Sequence, residues 1–296
     1  MNKVEGQKGN WASFSKRLLP AIIAIGILYV SLHFGGYIYI SVLLAVACFG
    51  MHEMYAALKT LPELKPMRYP GYVFIALMVP AWYRYKELGI FILFFICLVL
   101  VFATRIFSKK HRTRDAVYSS FALIYPALLF AFLVMIAYLD PRRFVSPIEE
   151  RTASSLTMII TFGAAIFTDT FAYLTGILIG KHKLCPHISP KKTIEGAIGG
   201  FAGSLIGMMV IYFFLQKPLG FEYPVYHFII LGLLASAASQ IGDLSASLIK
   251  RFTGIKDFGR IMPGHGGVMD RMDSILFVAP VVYAYVTLVL RLGVNG

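Results

Sequence analysis

The stretch AVYSSFALIYPALLFAFLVMIAYL, residues 116–139, runs for 24 residues without a single Asp, Glu, Lys or Arg. As an α-helix it would extend about 36 Å, enough to cross the roughly 30 Å hydrocarbon core of a bilayer. The segment just before it, RIFSKKHRTRD at residues 105–115, is strongly basic and suits a position against anionic lipid headgroups. This part of the chain therefore predicts a membrane-spanning helix.

Composition extends that interpretation to the whole chain. The 296 residues are 58% hydrophobic and 15% charged, whereas an ordinary soluble domain carries about 25% charged residues. Too few polar side chains remain to cover a water-soluble surface, and 24 Phe with 17 Tyr exclude a disordered chain. The three cysteines lie singly, which argues against a disulfide framework and against paired zinc ligands.

Apolar runs of suitable length predict an all-α polytopic membrane protein with nine spans. The predicted spans are 18–33, 36–56, 70–83, 88–104, 116–139, 155–179, 195–215, 225–249 and 274–290. No convincing small-residue cleavage site follows the first run, so we expect it to be a retained helix. Residues 1–17 are then a cytoplasmic tail and 18–150 the N-terminal transmembrane helices. Residues 151–296 form a C-terminal half, expected to be catalytic, with cytoplasmic loops 180–194 and 250–273.

The distribution of basic residues predicts the orientation of these spans. Of the 28 Lys and Arg, 21 lie in the N-terminal tail and in every second connection, and 7 lie on the opposite side. Because cytoplasmic loops collect Lys and Arg, the N-terminus is predicted in the cytoplasm and the C-terminus outside. The net charge of +13 is spread over five segments, which argues against a nucleic-acid-binding patch.

Apart from Glu195 at the start of the seventh span, three carboxylates fall inside predicted spans, where ionisable groups are costly and mark functional candidates. Glu53 lies near the cytoplasmic end of the second span, and we favour a structural role as a cap or as the partner of a loop lysine. Asp169, in FTDTFAY, lies about 16 Å along its helix from the basic loop and needs a partner or a hydrated cavity. Asp243 shares a helix face with Ser247, and together they offer oxygen ligands to a hard cation.

The densest polar stretch of the chain is SLIKRFTGIKDFGRIMPGHGGVMDRMD, residues 247–273. Glycines beside cations allow backbone N–H groups to approach phosphate oxygens, and nearby carboxylates hold the magnesium that accompanies a polyphosphate. This composition indicates a nucleoside triphosphate site at the membrane surface. Its candidate residues are Lys250, Arg251, Lys256, Asp257, His265, Gly266, Gly267, Asp270, Arg271 and Asp273.

A second cytoplasmic segment, ISPKKTIEG at residues 188–196, precedes the seventh span. It predicts Thr193 as the N-cap and places Glu195 in the first helical turn. Lys191 and Lys192 then lie at a helix N-terminus, which favours binding of an anion such as a phosphate. Control of topology alone would also explain the two lysines.

These segments resemble the phosphatidate cytidylyltransferase family, also called CDP-diacylglycerol synthases. The resemblance rests on Ser247, Lys250, Arg251, Lys256, Asp257, Pro263, HGG at 265–267, Asp270, Arg271 and Asp273. GD at 242–243, DTFAY at 169–173 and ISPKKTIEGAIGG at 188–200 are also similar to the second half of that family. The first half of this chain resembles the first half of that family only in its hydropathy and in Glu53.

The resemblance implies transfer of the cytidylyl group of CTP to phosphatidic acid at a site that opens to the cytoplasm and to membrane lipid. It suggests Mg²⁺, which we assign to Asp243 and Asp270, and a second, monovalent cation such as K⁺. His265 would bind a phosphate, protonate the leaving group or orient the glycine turn, and these roles stay open. The substrate cavity is expected to include Asp169, Lys191, Lys192 and Ser247. A homodimer in the inner cell membrane is also implied.

Two other functions are compatible with part of the pattern. A transporter for an anionic substrate also uses broken helices and midplane carboxylates, but the odd number of spans and the lack of a repeat between the halves disfavour it. Another CTP-using membrane enzyme, such as a polyprenol kinase, would share the nucleotide loop and differ in its acceptor.

Overall fold

The computed structural model describes residue 26 and residues 36–139, 152–216, 218, 222–261 and 266–290. Its helices are α1 (Gly36–Lys59), α2 (Tyr69–Phe107), α3 (Thr113–Ala137), α4 (Thr152–Ile179), α5 (Ile194–Leu215), α6 (Val225–Thr253) and α7 (Met269–Leu288). Two short strands, β1 (Lys183–Cys185) and β2 (Ser189–Thr193), lie between α4 and α5. All seven helices are long and apolar enough to cross a membrane. The chain is therefore an all-α polytopic membrane protein, and the predicted span 18–33 falls outside the described residues.

Helix α2 contains a reversal and corresponds to two predicted spans. Its 39 residues would extend about 58 Å as a straight helix, nearly twice the bilayer core. At Lys86 the backbone leaves the helical region (φ 54°, ψ −139°). The Tyr69 hydroxyl contacts Thr104, and the rings of Phe74 and Phe94 pack with centroids 6.4 Å apart. These contacts require two antiparallel segments, which match the predicted spans 70–83 and 88–104.

Helix α3 covers the opening stretch of sequence and is interrupted near its middle. A wide π-type turn occupies Leu123–Leu128, where Tyr125 has an extended backbone (φ −128°, ψ 110°) before Pro126. Proline cannot donate a backbone hydrogen bond, so the regular helical pattern opens here. The interruption turns the Tyr125 side chain inward, where it is buried.

The predicted cytoplasmic loop 180–194 contains a β-hairpin. Strands β1 and β2 are antiparallel, with Lys183 opposite Thr193 and Cys185 opposite Ser189. The Thr193 side chain then accepts a hydrogen bond from the Gly196 N–H at 3.1 Å, which confirms its predicted role as the N-cap of α5.

The second predicted loop, 250–273, is shorter in the structure. Helix α6 continues to Thr253 and α7 begins at Met269, five residues before the predicted start of the last span. Hydropathy left Asp270 and Asp273 outside the predicted last span. Carboxylates are nevertheless favourable in the first turns of a helix, because they offset its dipole. The connection proper is therefore residues 254–268, called the signature loop below.

Candidate functional site

Three carboxylates from three different helices form one polar centre, called the carboxylate centre below. Asp169 lies on α4, Asp243 on α6 and Asp273 on α7, and each interacts electrostatically with the other two. The Asp273 side chain is buried, at 7% exposure. Ser239 donates a hydrogen bond to Asp169 at 3.3 Å. The structure thus brings together three predicted site residues, Asp169, Asp243 and Asp273, from three different helices.

Two lysines pair with carboxylates at this site. Lys192 from β2 contacts Asp243 at 2.5 Å, and Lys250 from α6 contacts Asp270 at 2.8 Å. The sequence analysis proposed Lys191 and Lys192 together as anion-binding residues, but the structure gives them different environments. Lys192 points toward the carboxylate centre, while Lys191 is exposed. Alternation along a β-strand explains this difference, since successive side chains point to opposite faces.

Asp270 also organises the signature loop. Its Oδ2 atom accepts hydrogen bonds from the backbone N–H groups of Phe258 at 2.8 Å and Gly267 at 3.0 Å. A Cβ atom on Gly266 would lie 2.7 Å from the same oxygen, and Gly266 has a positive φ of 82°. Only glycine satisfies both conditions, so this part of the loop closes directly onto the carboxylate.

The remaining predicted residues lie around this centre or face solvent. Ser247 is partly buried one helical turn from Asp243 on α6. Arg251 donates through Nε to the carbonyl of Ile188 at 3.2 Å, which joins the end of α6 to the hairpin. The side chains of Lys256, Asp257 and Arg271 are exposed. His265 lies outside the described residues.

Two residues of the N-terminal half reach this site, and sequence reasoning missed Tyr125 and the identity of the helix that Glu53 caps. Glu53 on α1 is 3% exposed and accepts hydrogen bonds from the N–H groups of Val268 and Met269. Of the two structural roles that the sequence left open, it therefore has that of a cap, at the start of a distant helix. The buried Tyr125 hydroxyl has no hydrogen-bond partner among the described residues and interacts electrostatically with the aspartates of α6 and α7. A tyrosine inside an apolar span gives no sequence signal of such a position.

The donor chemistry fits a divalent cation of the magnesium type. Carboxylate oxygens are its preferred protein ligands, and Asp169 and Asp273 form no salt bridge within the described ranges. Asp243 and Asp270 each have one lysine partner, so the four carboxylates outnumber the lysines that pair with them. No three potential ligands are already assembled in the part of the chain that the structure describes. A bound magnesium would screen the negative charge of the substrate phosphates at this centre.

Comparisons with known proteins find relatives that share one name. A protein from Staphylococcus saprophyticus named phosphatidate cytidylyltransferase is 32% identical over 275 residues, which cover 89% of this chain and 95% of the relative. Proteins of the same name from Staphylococcus haemolyticus and Staphylococcus aureus are 50% and 46% identical over shorter stretches of 113 and 132 residues. These stretches cover 38% and 45% of this chain, and 42% and 49% of the relatives.

The sequence profile described as the cytidylyltransferase family matches residues 15–289, nearly the full length of the chain. This match, with the 32% identical relative, shows that the chain belongs to the cytidylyltransferase family.

Proposed function

We propose that this protein transfers the cytidylyl group of CTP to phosphatidic acid and releases CDP-diacylglycerol and pyrophosphate. The observation that carries the proposal is the convergence of carboxylates and lysines where the hairpin, α6 and α7 meet. The full-length similarity to a phosphatidate cytidylyltransferase supports the choice of substrates. The fold also suits a reaction between a soluble nucleotide and a membrane lipid, because all seven described helices can cross a bilayer.

The reaction needs no covalent enzyme intermediate, because a phosphate oxygen is already a competent nucleophile. An oxygen of phosphatidic acid forms a bond to the α-phosphorus of CTP as the bond from that phosphorus to the β-phosphate oxygen breaks. Catalysis of such a transfer is mainly positioning and electrostatic stabilisation. We assign the charge stabilisation to Lys250, Arg251, Lys256 and Arg271, with Asp257 and Asp273 as supporting carboxylates.

The two substrates are assigned to two neighbouring segments. The signature loop, with Gly266 and Gly267, is proposed to hold the triphosphate of CTP; the Gly266 backbone N–H is the proposed donor, because the Gly267 N–H already donates to Asp270. The hairpin is proposed to guide the phosphate of phosphatidic acid, and Lys192 is placed deeper than Lys191 along that path. Asp169 and Ser247 are expected to line the hydrated wall between them, because a phosphate cannot cross hydrocarbon without polar partners.

Magnesium is the proposed cofactor, with Asp243 and Asp270 as its ligands and a monovalent cation such as K⁺ as a second ion. Support comes from the carboxylate oxygens of the site, which outnumber their lysine partners. The lysines that now pair with these aspartates would become available to substrate phosphates once a cation replaces them.

We also propose nine spans, with the N-terminus and the active site facing the cytoplasm of the inner membrane. The reversal at Lys86 divides α2 into two segments, so the described residues supply eight of the nine. The ninth would be residues 18–33. The concentration of Lys and Arg on one side supports the orientation. The proposed homodimer rests on the family resemblance.

The decisive experiment is product formation by the purified protein in mixed micelles. With labelled CTP, Mg²⁺ and phosphatidic acid, we expect labelled CDP-diacylglycerol and pyrophosphate in equal amounts. A polyprenol acceptor should give no product. Phosphorylated polyprenol with release of CDP would instead identify a lipid kinase and contradict the proposal.

A further inference from the structure

The cytoplasmic end of α1 contacts the end of the signature loop through Glu53. Its two carboxylate oxygens accept hydrogen bonds from consecutive backbone N–H groups, from Val268 at 3.0 Å and Met269 at 2.8 Å. These groups lie at the N-terminus of α7, where N–H groups lack partners within the helix and a negative charge is favourable. A residue 215 positions earlier in the chain therefore caps the helix that carries Asp270 and Asp273.

The beginning of the same loop contacts α1 as well. Thr60, in the turn that ends α1, donates a hydrogen bond to the carbonyl of Thr253 at 2.6 Å. Thr253 is the last residue of α6. Glu53 and Thr60 are seven residues apart, about 10 Å along the helix axis. Both ends of the signature loop are thus anchored to one helix of the N-terminal half.

Two glycines of the loop lie against the Glu53 carboxylate. A Cβ atom on Gly259 would lie 2.0 Å from Oε1, and one on Gly267 would lie 2.3 Å from both carboxylate oxygens. No other residue type allows the backbone to approach the carboxylate this closely, because any Cβ atom would overlap it. The two glycines therefore have a steric role in addition to any contact with phosphates.

The element that Glu53 holds is the one that orients Asp270. Asp270 immediately follows the capped residue Met269, and its side chain accepts hydrogen bonds from Phe258 and Gly267 in the same loop. Building on the proposed function, we propose that Glu53 is a positioning residue that fixes Asp270, with Phe258 and Gly267 that bind it, in the geometry that binds CTP with magnesium. Glu53 acts through the backbone of this loop and does not itself touch substrate.

Two variants separate this role from general stabilisation. Glu53→Gln keeps the size of the side chain, but its amide NH₂ group meets a backbone N–H, so one hydrogen bond is lost and a donor is left buried. Gly259→Ala displaces the carboxylate while Glu53 itself is unchanged. Glu53→Asp keeps the charge on a shorter side chain and should lie between the wild type and Glu53→Gln. Glu63→Gln removes an equivalent charge from an exposed pair with Arg112 and is the matched control.

The experiment measures equilibrium binding of labelled CTP to the purified protein without phosphatidic acid, as a function of Mg²⁺ concentration. Temperatures well below the melting transition of each variant are used. We expect Glu53→Gln and Gly259→Ala to raise the Mg²⁺ concentration for half-maximal CTP binding by about 10- to 100-fold. Glu63→Gln should leave it unchanged.

Lower melting temperatures with unchanged CTP binding in both test variants would show a purely structural role and overturn the inference. A wild-type protein that binds no CTP at any Mg²⁺ concentration would instead overturn the proposed function itself. The two failures are therefore distinguishable.

Discussion

Lys191 and Lys192 offer a direct test of the site, because they are neighbours with the same charge and opposite orientations. Lys192 contacts Asp243 at 2.5 Å; the Lys192 side chain is 25% exposed and the Asp243 side chain 32% exposed. Lys191 lies on the other face of β2 and is exposed. Replacing either lysine by methionine removes one charge and keeps a similar side-chain length.

The structure predicts very different losses for the two substitutions. A charge-assisted hydrogen bond between partly buried groups contributes about 1.5–3 kcal/mol, and Lys192 is expected to make such a contact with a substrate phosphate. At about 1.4 kcal/mol per tenfold in rate, Lys192→Met should lower kcat/KM for phosphatidic acid by about 10- to 150-fold. An exposed charge contributes about 1 kcal/mol or less, so Lys191→Met should cost less than about fivefold.

Steady-state kinetics in mixed micelles, with phosphatidic acid and CTP varied in turn, would measure both effects. Equal losses for the two variants would show that the orientation of β2 does not matter and would refute the reasoning. A change confined to the CTP dependence of Lys192→Met would place the hairpin at the nucleotide and reverse the assignment of the two segments.

Three further outcomes are expected. Asp243→Asn and Asp270→Asn should both abolish turnover, but only Asp270→Asn should lower the melting temperature in detergent, because Asp270 also binds two loop N–H groups; equal melting curves would contradict this. EDTA should remove activity and added Mg²⁺ restore it, whereas activity that persists in EDTA would exclude a required divalent ion. On a background without Cys48, Cys97 and Cys185, a cysteine at 86 should react with an impermeant reagent from outside and one at 110 should not. Labelling at 110 would reject the nine-span topology.

Hydropathy was sufficient to predict most of the helices, because crossing a bilayer sets both their length and their composition. Predicted spans 36–56, 195–215 and 225–249 correspond to helices α1, α5 and α6 with shifts of only a few residues. The largest error was at the start of α7, where charged residues occupy the first turns of the helix. The β-hairpin was not predicted, since its strands are short and contain Pro190 and several charges.

The composition of the site was predictable, but its pairings were not. Ionisable residues inside apolar spans pointed to Asp169 and Asp243, and a dense polar segment pointed to Asp270. The contacts of Lys192 with Asp243 and of Glu53 with Val268 depend on how distant helices pack. A single sequence carries no direct signal of such contacts.

Helix α7 is attached to the N-terminal half at both of its ends. Glu53 binds the N–H groups at its start, and the Tyr283 hydroxyl donates to Glu87, beside the reversal of α2, at 2.6 Å. These anchors are about 21 Å apart along the axis. A piston-like shift of α7 by one turn, about 5.4 Å, would break both. We therefore expect α7 to keep its axial position during turnover, so that lipid entry and product exit do not require it to slide.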